Sequence, residues 1–244
     1  MRLPASARLA LWETAAGATP AARDLALLAA GFPGVDRAVL GALSVGWCDA
    51  WLLDLYAAAV GPRLDTVFDC TSCGETMEVT VDVPQLRARV ASPAPDEAGE
   101  WVAVAVDGYD IRFRLPNGAD LAAVAALAPG RARLALADRV LRVSRDGVRV
   151  PVEELPAPVL DAAGRAMAER DPMADLALSA SCPWCGADAA ARLDIGGVLW
   201  AHLDADCRRL MSDVDVLARA YGWAEAEILA LAEGRRRAYL ELAR

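Results

Sequence analysis

Lysine is absent from this chain: all 25 basic residues are arginine. Together with the abundance of alanine, this reads as the mark of a GC-rich genome rather than of a function. Basic charge is also short overall. The 34 acidic residues leave a net charge of −9 and a pI near 4.7. Nucleic-acid phosphates demand a basic face, so the composition argues against that class of partner. Histidine is nearly missing. His202 is the sole one, so any Ser-His-Asp or Cys-His machinery would have to pass through it. It lies on a helical stretch beside Asp204 and Asp206 and reads as a solvated or core-edge side chain. There is no GxGxxG, P-loop or HExxH. No catalytic set emerges, and an enzyme is not expected. No uncharged apolar run reaches the ~18 residues that span a bilayer, and Glu13 interrupts the first apolar stretch before a secretory core forms. The expectation is a cytoplasmic protein with no membrane contact.

What is present is a chain of 244 residues, 56% hydrophobic, able to bury a large core in one domain or two. Its most informative feature is a pair of CxxCG knuckles, Cys70-Thr71-Ser72-Cys73-Gly74 and Cys182-Pro183-Trp184-Cys185-Gly186. The two are 112 positions apart (182 − 70), and the same offset relates Asp82 to Asp194. Alternation after each knuckle matches too, with Val79, Val81 and Val83 facing Ala191, Leu193 and Ile195. A CxxC turn aims two thiolates at one point, and the glycine after it permits the backbone twist. One knuckle is half of a tetrahedral zinc shell. The reading is one structural zinc shared by Cys70, Cys73, Cys182 and Cys185, favoured over a disulfide in a reducing compartment. A redox pair, a disulfide or two ordinary buried thiols are the alternatives for each CxxC. Cys48 and Cys207 fall in apolar helical stretches and read as small hydrophobes.

A wider duplication is expected around the knuckles. Asp24-Leu25-Ala26 with Pro33-Gly34 parallels Asp120-Leu121-Ala122 with Pro129-Gly130 at an offset of 96 (120 − 24). Each Asp is read as a helix N-cap. The change of offset implies insertions near residues 145–156. Residues 49–60 read as a helix, 91–100 as a linker, and 101–114 as a hairpin turning at Asp107-Gly108. The fold expected is α+β, mainly helical, with two zinc-knuckle hairpins sharing one zinc and a C-terminal helical module. Its parts are 1–92, 101–197 and 198–244. Trp12, Trp47, Trp51, Trp200 and Trp223 read as core, and Trp184 as packed on the facing knuckle.

Several segments together resemble a known family. They are 46–53 (Gly-Trp-Cys-Asp-Ala-Trp-Leu-Leu), Phe68-Asp69-Cys70, Phe113-Arg114-Leu115-Pro116, Leu193-Asp194-Ile195, Ala220-Tyr221-Gly222-Trp223 and Arg235-Arg236-Arg237-Ala238-Tyr239-Leu240. The chain is similar to baseplate-associated proteins of phage-tail-like contractile injection systems, and more remotely to the baseplate hub assembly proteins of T-even-type myophages. That resemblance implies a role in building or forming the baseplate hub, with hub, spike or other particle proteins as partners. The end of the chain resembles short helical modules of tail-gene products. Trp223, Ile228, Leu229, Tyr239 and Leu240 are the residues expected to dock a partner there. A CxxC thiol-disulfide oxidoreductase, or a zinc-ribbon adaptor of another cytoplasmic complex, is the rival reading.

Overall fold

The computed structural model describes residues 3–89 and 99–243. The expected linker, 91–100, lies outside the described residues except for Gly99 and Glu100. Helix α1 (Ala5–Ala15) leads into α2 (Pro20–Gly31), where proline fills the first turn because no intrahelical N–H is needed there. Asp36 caps the short α3 (Arg37–Ala42). Helix α4 (Val45–Ala59) begins four residues earlier than expected, because the Ser44 side chain accepts the Trp47 N–H and starts the helix there. It is the centre of the larger core. Leu52, Leu53 and Ala50 have no exposed surface, and Leu28, Leu40, Leu64, Met173 and Ile195 pack around them.

The first knuckle hairpin follows, β1 (Arg63–Asp69) paired antiparallel with β2 (Thr76–Asp82), then α5 (Val83–Arg89). Strands β3 (Val102–Val106) and β4 (Tyr109–Phe113) turn at Asp107-Gly108, both with positive φ (49° and 79°), as a tight two-residue turn requires. After α6 (Gly118–Val124) and α7 (Pro129–Val140) come β5 (Leu141–Arg145) and β6 (Val148–Arg149), turning the same way at Asp146-Gly147. The order β3-β4-β5-β6 makes a four-stranded meander. Helix α8 (Ala157–Arg170) covers it, and Ile111, Phe113, Val143 and Val159 form a second core. The insertion expected near 145–156 holds the turn from β5, the short β6 and a 3-10 turn at Val152–Glu154. The second knuckle hairpin is β7 (Ala177–Ser181) with β8 (Asp188–Arg192). Helix α9 (Ile195–Tyr221) then runs 27 residues to Gly222, whose φ of 70° ends it, and α10 (Glu225–Ala230) and α11 (Glu233–Leu242) close the chain.

The duplication takes a different form from the one expected. Asp24 lies inside α2 and caps nothing, and Asp120 is the third residue of α6, whose cap is Asn117. Pro129 opens α7, whereas Pro33-Gly34 lies between α2 and α3. The offset of 96 thus joins unlike pieces. The offset of 112 joins like ones: α4 begins at 45 and α8 at 157, β2 at 76 and β8 at 188, α5 at 83 and α9 at 195. An aspartate at the end of the first hairpin and one just after the second cap the helices that follow. Asp82 Oδ1 accepts the Gln85 N–H at 2.7 Å, and Asp194 Oδ1 accepts the Gly197 N–H at 2.9 Å.

Candidate metal centre

Both knuckles are built by the same local bonds. The Cys70 N–H donates to the Glu75 carbonyl and the Gly74 N–H to the Cys70 carbonyl; Cys182–Ala187 and Gly186–Cys182 repeat this at 2.8 and 2.9 Å. Gly74 and Gly186 hold φ at 75° and 73°, where a side chain is strained. Below each knuckle an acid and a hydroxyl bridge the strands with their positions exchanged. The Thr76 hydroxyl donates to Asp69, and the Ser181 hydroxyl to Asp188. This exchange was visible in the sequence at the same offset and would have strengthened the repeat.

The hairpins meet tip to tip. Cys70 and Cys182 are buried while Cys73 and Cys185 are exposed, and all four Sγ atoms lie within 4.8 Å of one another. Cys70–Cys185 and Cys73–Cys182 approach to 3.7 Å each. A disulfide needs about 2.05 Å, whereas a tetrahedral shell with Zn–S near 2.3 Å spaces its sulfurs by about 3.8 Å. The spacing fits a shared ion. Charge points the same way. Hydrogen bonds from the Cys73 and Ser72 backbone hold the Cys70 thiol down to about 7. Cys73, though exposed as a residue, receives a lowering bond from the Glu75 backbone, yet partial desolvation at its sulfur and the neighbouring sulfurs push it up to about 12. Four sulfurs this close resist ionising together unless a cation sits among them. Met77 and Ala189 pack beneath the two buried cysteines.

Other expected site residues are distributed differently. Trp184 is 59% exposed rather than packed on the facing knuckle, because the sulfurs already fill the space between the tips. Ile228 is fully buried and is a core residue, not a docking one. Arg236 is buried as well, paired to Asp213 at 3.3 Å, so the arginine run is not wholly a rim. Trp223 and Tyr239 are half-buried and meet edge-on at 4.8 Å, with Tyr221 stacked on Trp223. Leu229 and Leu240 are half-buried. None of Trp12, Trp47, Trp51 and Trp200 is fully buried; Trp12 donates to Asp204 at 2.7 Å and Trp200 lies beneath Arg23. His202 is exposed and meets Tyr56 edge-on. Sequence reasoning also missed a half-buried acidic group beside Cys48. Burial first, and then Asp24, Asp194 and Asp171, push Asp49 up to about 8.

A protein-family model described as T4 bacteriophage base plate protein matches residues 26–195. The chain belongs to that family. Among curated proteins and among solved structures, none matches it significantly. The base plate match contains both knuckles, both hairpins and the meander, and ends at the first residue of α9. What flanks it comes together in space. Ala5 and Leu9 of α1 pack on Cys207 and Leu210 of α9, and Arg8 pairs with Asp206. The segments on either side of the match thus form one helical cluster beside the matched region. Among the described residues, no helix is long and apolar enough to cross a membrane.

Proposed function

We propose that this protein is a non-enzymatic, zinc-stapled factor that binds baseplate components and helps assemble, or forms part of, the baseplate hub of a phage-tail-like contractile injection system. The observation that carries this reading is the convergence of four sulfurs from two hairpins, within 4.8 Å, in a chain of the base plate family. The donor set is all thiolate and closed, the pattern of a structural rather than a catalytic zinc. The ion would tie the hairpin after α4 to the hairpin after α8, fixing the two repeats against each other. It supplies rigidity; the binding is done by the chain's own surfaces.

Hub, spike or other particle proteins are the partners in this reading, met in the cytoplasm. The C-terminal helices are one docking surface, through Trp223, Tyr239, Leu240 and Leu242, the last 76% exposed. Affinity purification of the tagged protein from its native host tests the proposal. Baseplate, tube or sheath proteins should co-purify with the wild type and be lost with Cys182→Ser. Co-purification of none of them, with the zinc in place, would sink the baseplate role.

A further inference from the structure

We infer that the cleft between the two knuckle hairpins takes an extended, basic segment of a partner protein as an added strand on β1. The cleft, about 350 Å³, is lined by residues 66–68 of β1, by Ala191 and Arg192 of β8 with Leu193 and Asp194 just after it, and by Gly197 and Val198 of α9. Side chains alternate along a strand, so a cleft lined by consecutive residues is bordered by the strand's edge and its main-chain groups. Both edges lack a strand partner: among the described residues β1 pairs only with β2, and β8 only with β7.

The register identifies the free groups. Bonds from the Cys70 N–H to the Glu75 carbonyl and from the Val83 N–H to the Pro62 carbonyl bracket the ladder. Hydrogen-bonded pairs alternate between them, so the even-numbered residues of β1 bond to β2. Asp65, Val67 and Asp69 therefore turn their N–H and C=O groups to the outer edge, as does Arg63, whose carbonyl the Tyr56 hydroxyl already engages at 3.2 Å. Edges of this kind are ordinarily blunted by charged side chains, proline or a bulge. The seven residues of β1 contain no proline and their pairing runs without a break, so its own charges, Arg63, Asp65 and Asp69, are what guards the edge.

Charge selects the occupant. Asp65, Val67 and Asp69 share one exposed face, with Arg63 at its far end from the knuckle, and Val67 is 61% exposed. A strand laid beside β1 sets one residue opposite each of these three. The complement is a cation, an apolar residue and a cation at alternate positions. A second copy of β1 fails this test, because antiparallel pairing about Val67 would oppose Asp65 to Asp69. The surroundings agree: residues 63–82 hold five acids and one arginine, and 176–194 hold two acids and one arginine, for −4 and −1 (1 − 5 and 1 − 2). The inference requires neither the identity of the ion nor the baseplate role.

The probe is a nine-residue peptide with an arginine–threonine–valine–threonine–arginine core, titrated into the full-length protein at low salt and followed by amide hydrogen exchange. The amides of Asp65, Val67 and Asp69 should slow at least tenfold, while those of Leu64, Thr66 and Phe68, already bonded, stay unchanged. Val67→Pro should weaken binding at least tenfold, since it removes an outward N–H that β2 does not use. Should that variant disturb the hairpin, the pair Asp65→Arg and Asp69→Arg decides instead: it should reject this peptide and accept one with glutamates in place of the arginines. No binding at millimolar peptide, equal affinity for the glutamate peptide by the wild type, protection at other amides, or dimerisation through β1 would each overturn the inference.

Discussion

The Gly46 N–H donates to Asp171 Oδ2 at 3.0 Å across 125 positions of the chain. Gly46 lies in the first turn of α4, and Asp171 ends α8, so this buried bond locks the helix of one repeat to the end of its counterpart in the other. There is no room for a side chain at 46. A Cβ would lie 2.0 Å from Asp171 Oδ1 and 2.7 Å from the Ala174 backbone nitrogen. Gly46→Ala should therefore cost about 1–3 kcal/mol, as overpacking does. The readout is a lower urea midpoint at unchanged slope, and an unchanged midpoint would show that the junction yields freely.

Acid should destabilise the protein through Asp120. Burial alone would raise its pKa, but two bonds from Arg114 (2.6 and 2.9 Å), the Asn117 N–H and Arg139 bring it to about 2. A depressed native pKa stabilises the fold above the unfolded value, and this is lost as pH falls from about 4 toward 2. Asp120→Asn should cost about 3 kcal/mol at neutral pH, the scale for breaking a buried pair. The deficit should shrink toward pH 2. A deficit that stays constant down to that pH would mean the carboxylate's charge is irrelevant.

At higher pH the trend comes from Asp49 and Asp24. Asp49 is raised to about 8, and Asp24, by burial and then Asp194, to about 6. The native state then holds more protons than the unfolded chain between pH 4 and 8, so stability should fall as pH rises through that window. Asp49→Asn should flatten the fall and raise the melting temperature at pH 8. An asparagine variant with the wild-type slope would acquit Asp49.

Metal analysis should find about one zinc per chain, and Cys70→Ser or Cys182→Ser should each lose most of it, because each removes one of four ligands. Chelation should lower the melting temperature of the wild type and leave those variants nearly unmoved. Two zincs per chain, or full occupancy in Cys182→Ser, would refute a shared site.

The knuckles were legible because cysteine spacing, a glycine with positive φ and strict alternation are local constraints, and chemistry leaves few substitutes for them. The helical repeat was not. Asp24 and Asp120 share a tripeptide yet occupy different helix positions, because Pro20 starts one helix upstream and Asn117 the other. Strand β5 was hidden by its direct junction with α7, where no glycine or proline marks the boundary at Leu141, although the Asp146-Gly147 turn was as plain as the one recognised at Asp107. Burial of Ile228 and exposure of Trp184 depend on what lies opposite in space, which apolarity alone does not specify.

The pairing of Cys73 with Cys182 spans 109 positions, and this separation sets an order of events during synthesis. At roughly 5–20 residues per second a ribosome needs about 5–20 s to add the second knuckle after the first. Through that interval the emerging chain offers only two of the four sulfurs that could hold an ion. The last of the four to appear, Cys185, is followed at once by β8 and α9, so the cluster is complete only when 59 residues (244 − 185) remain to be added.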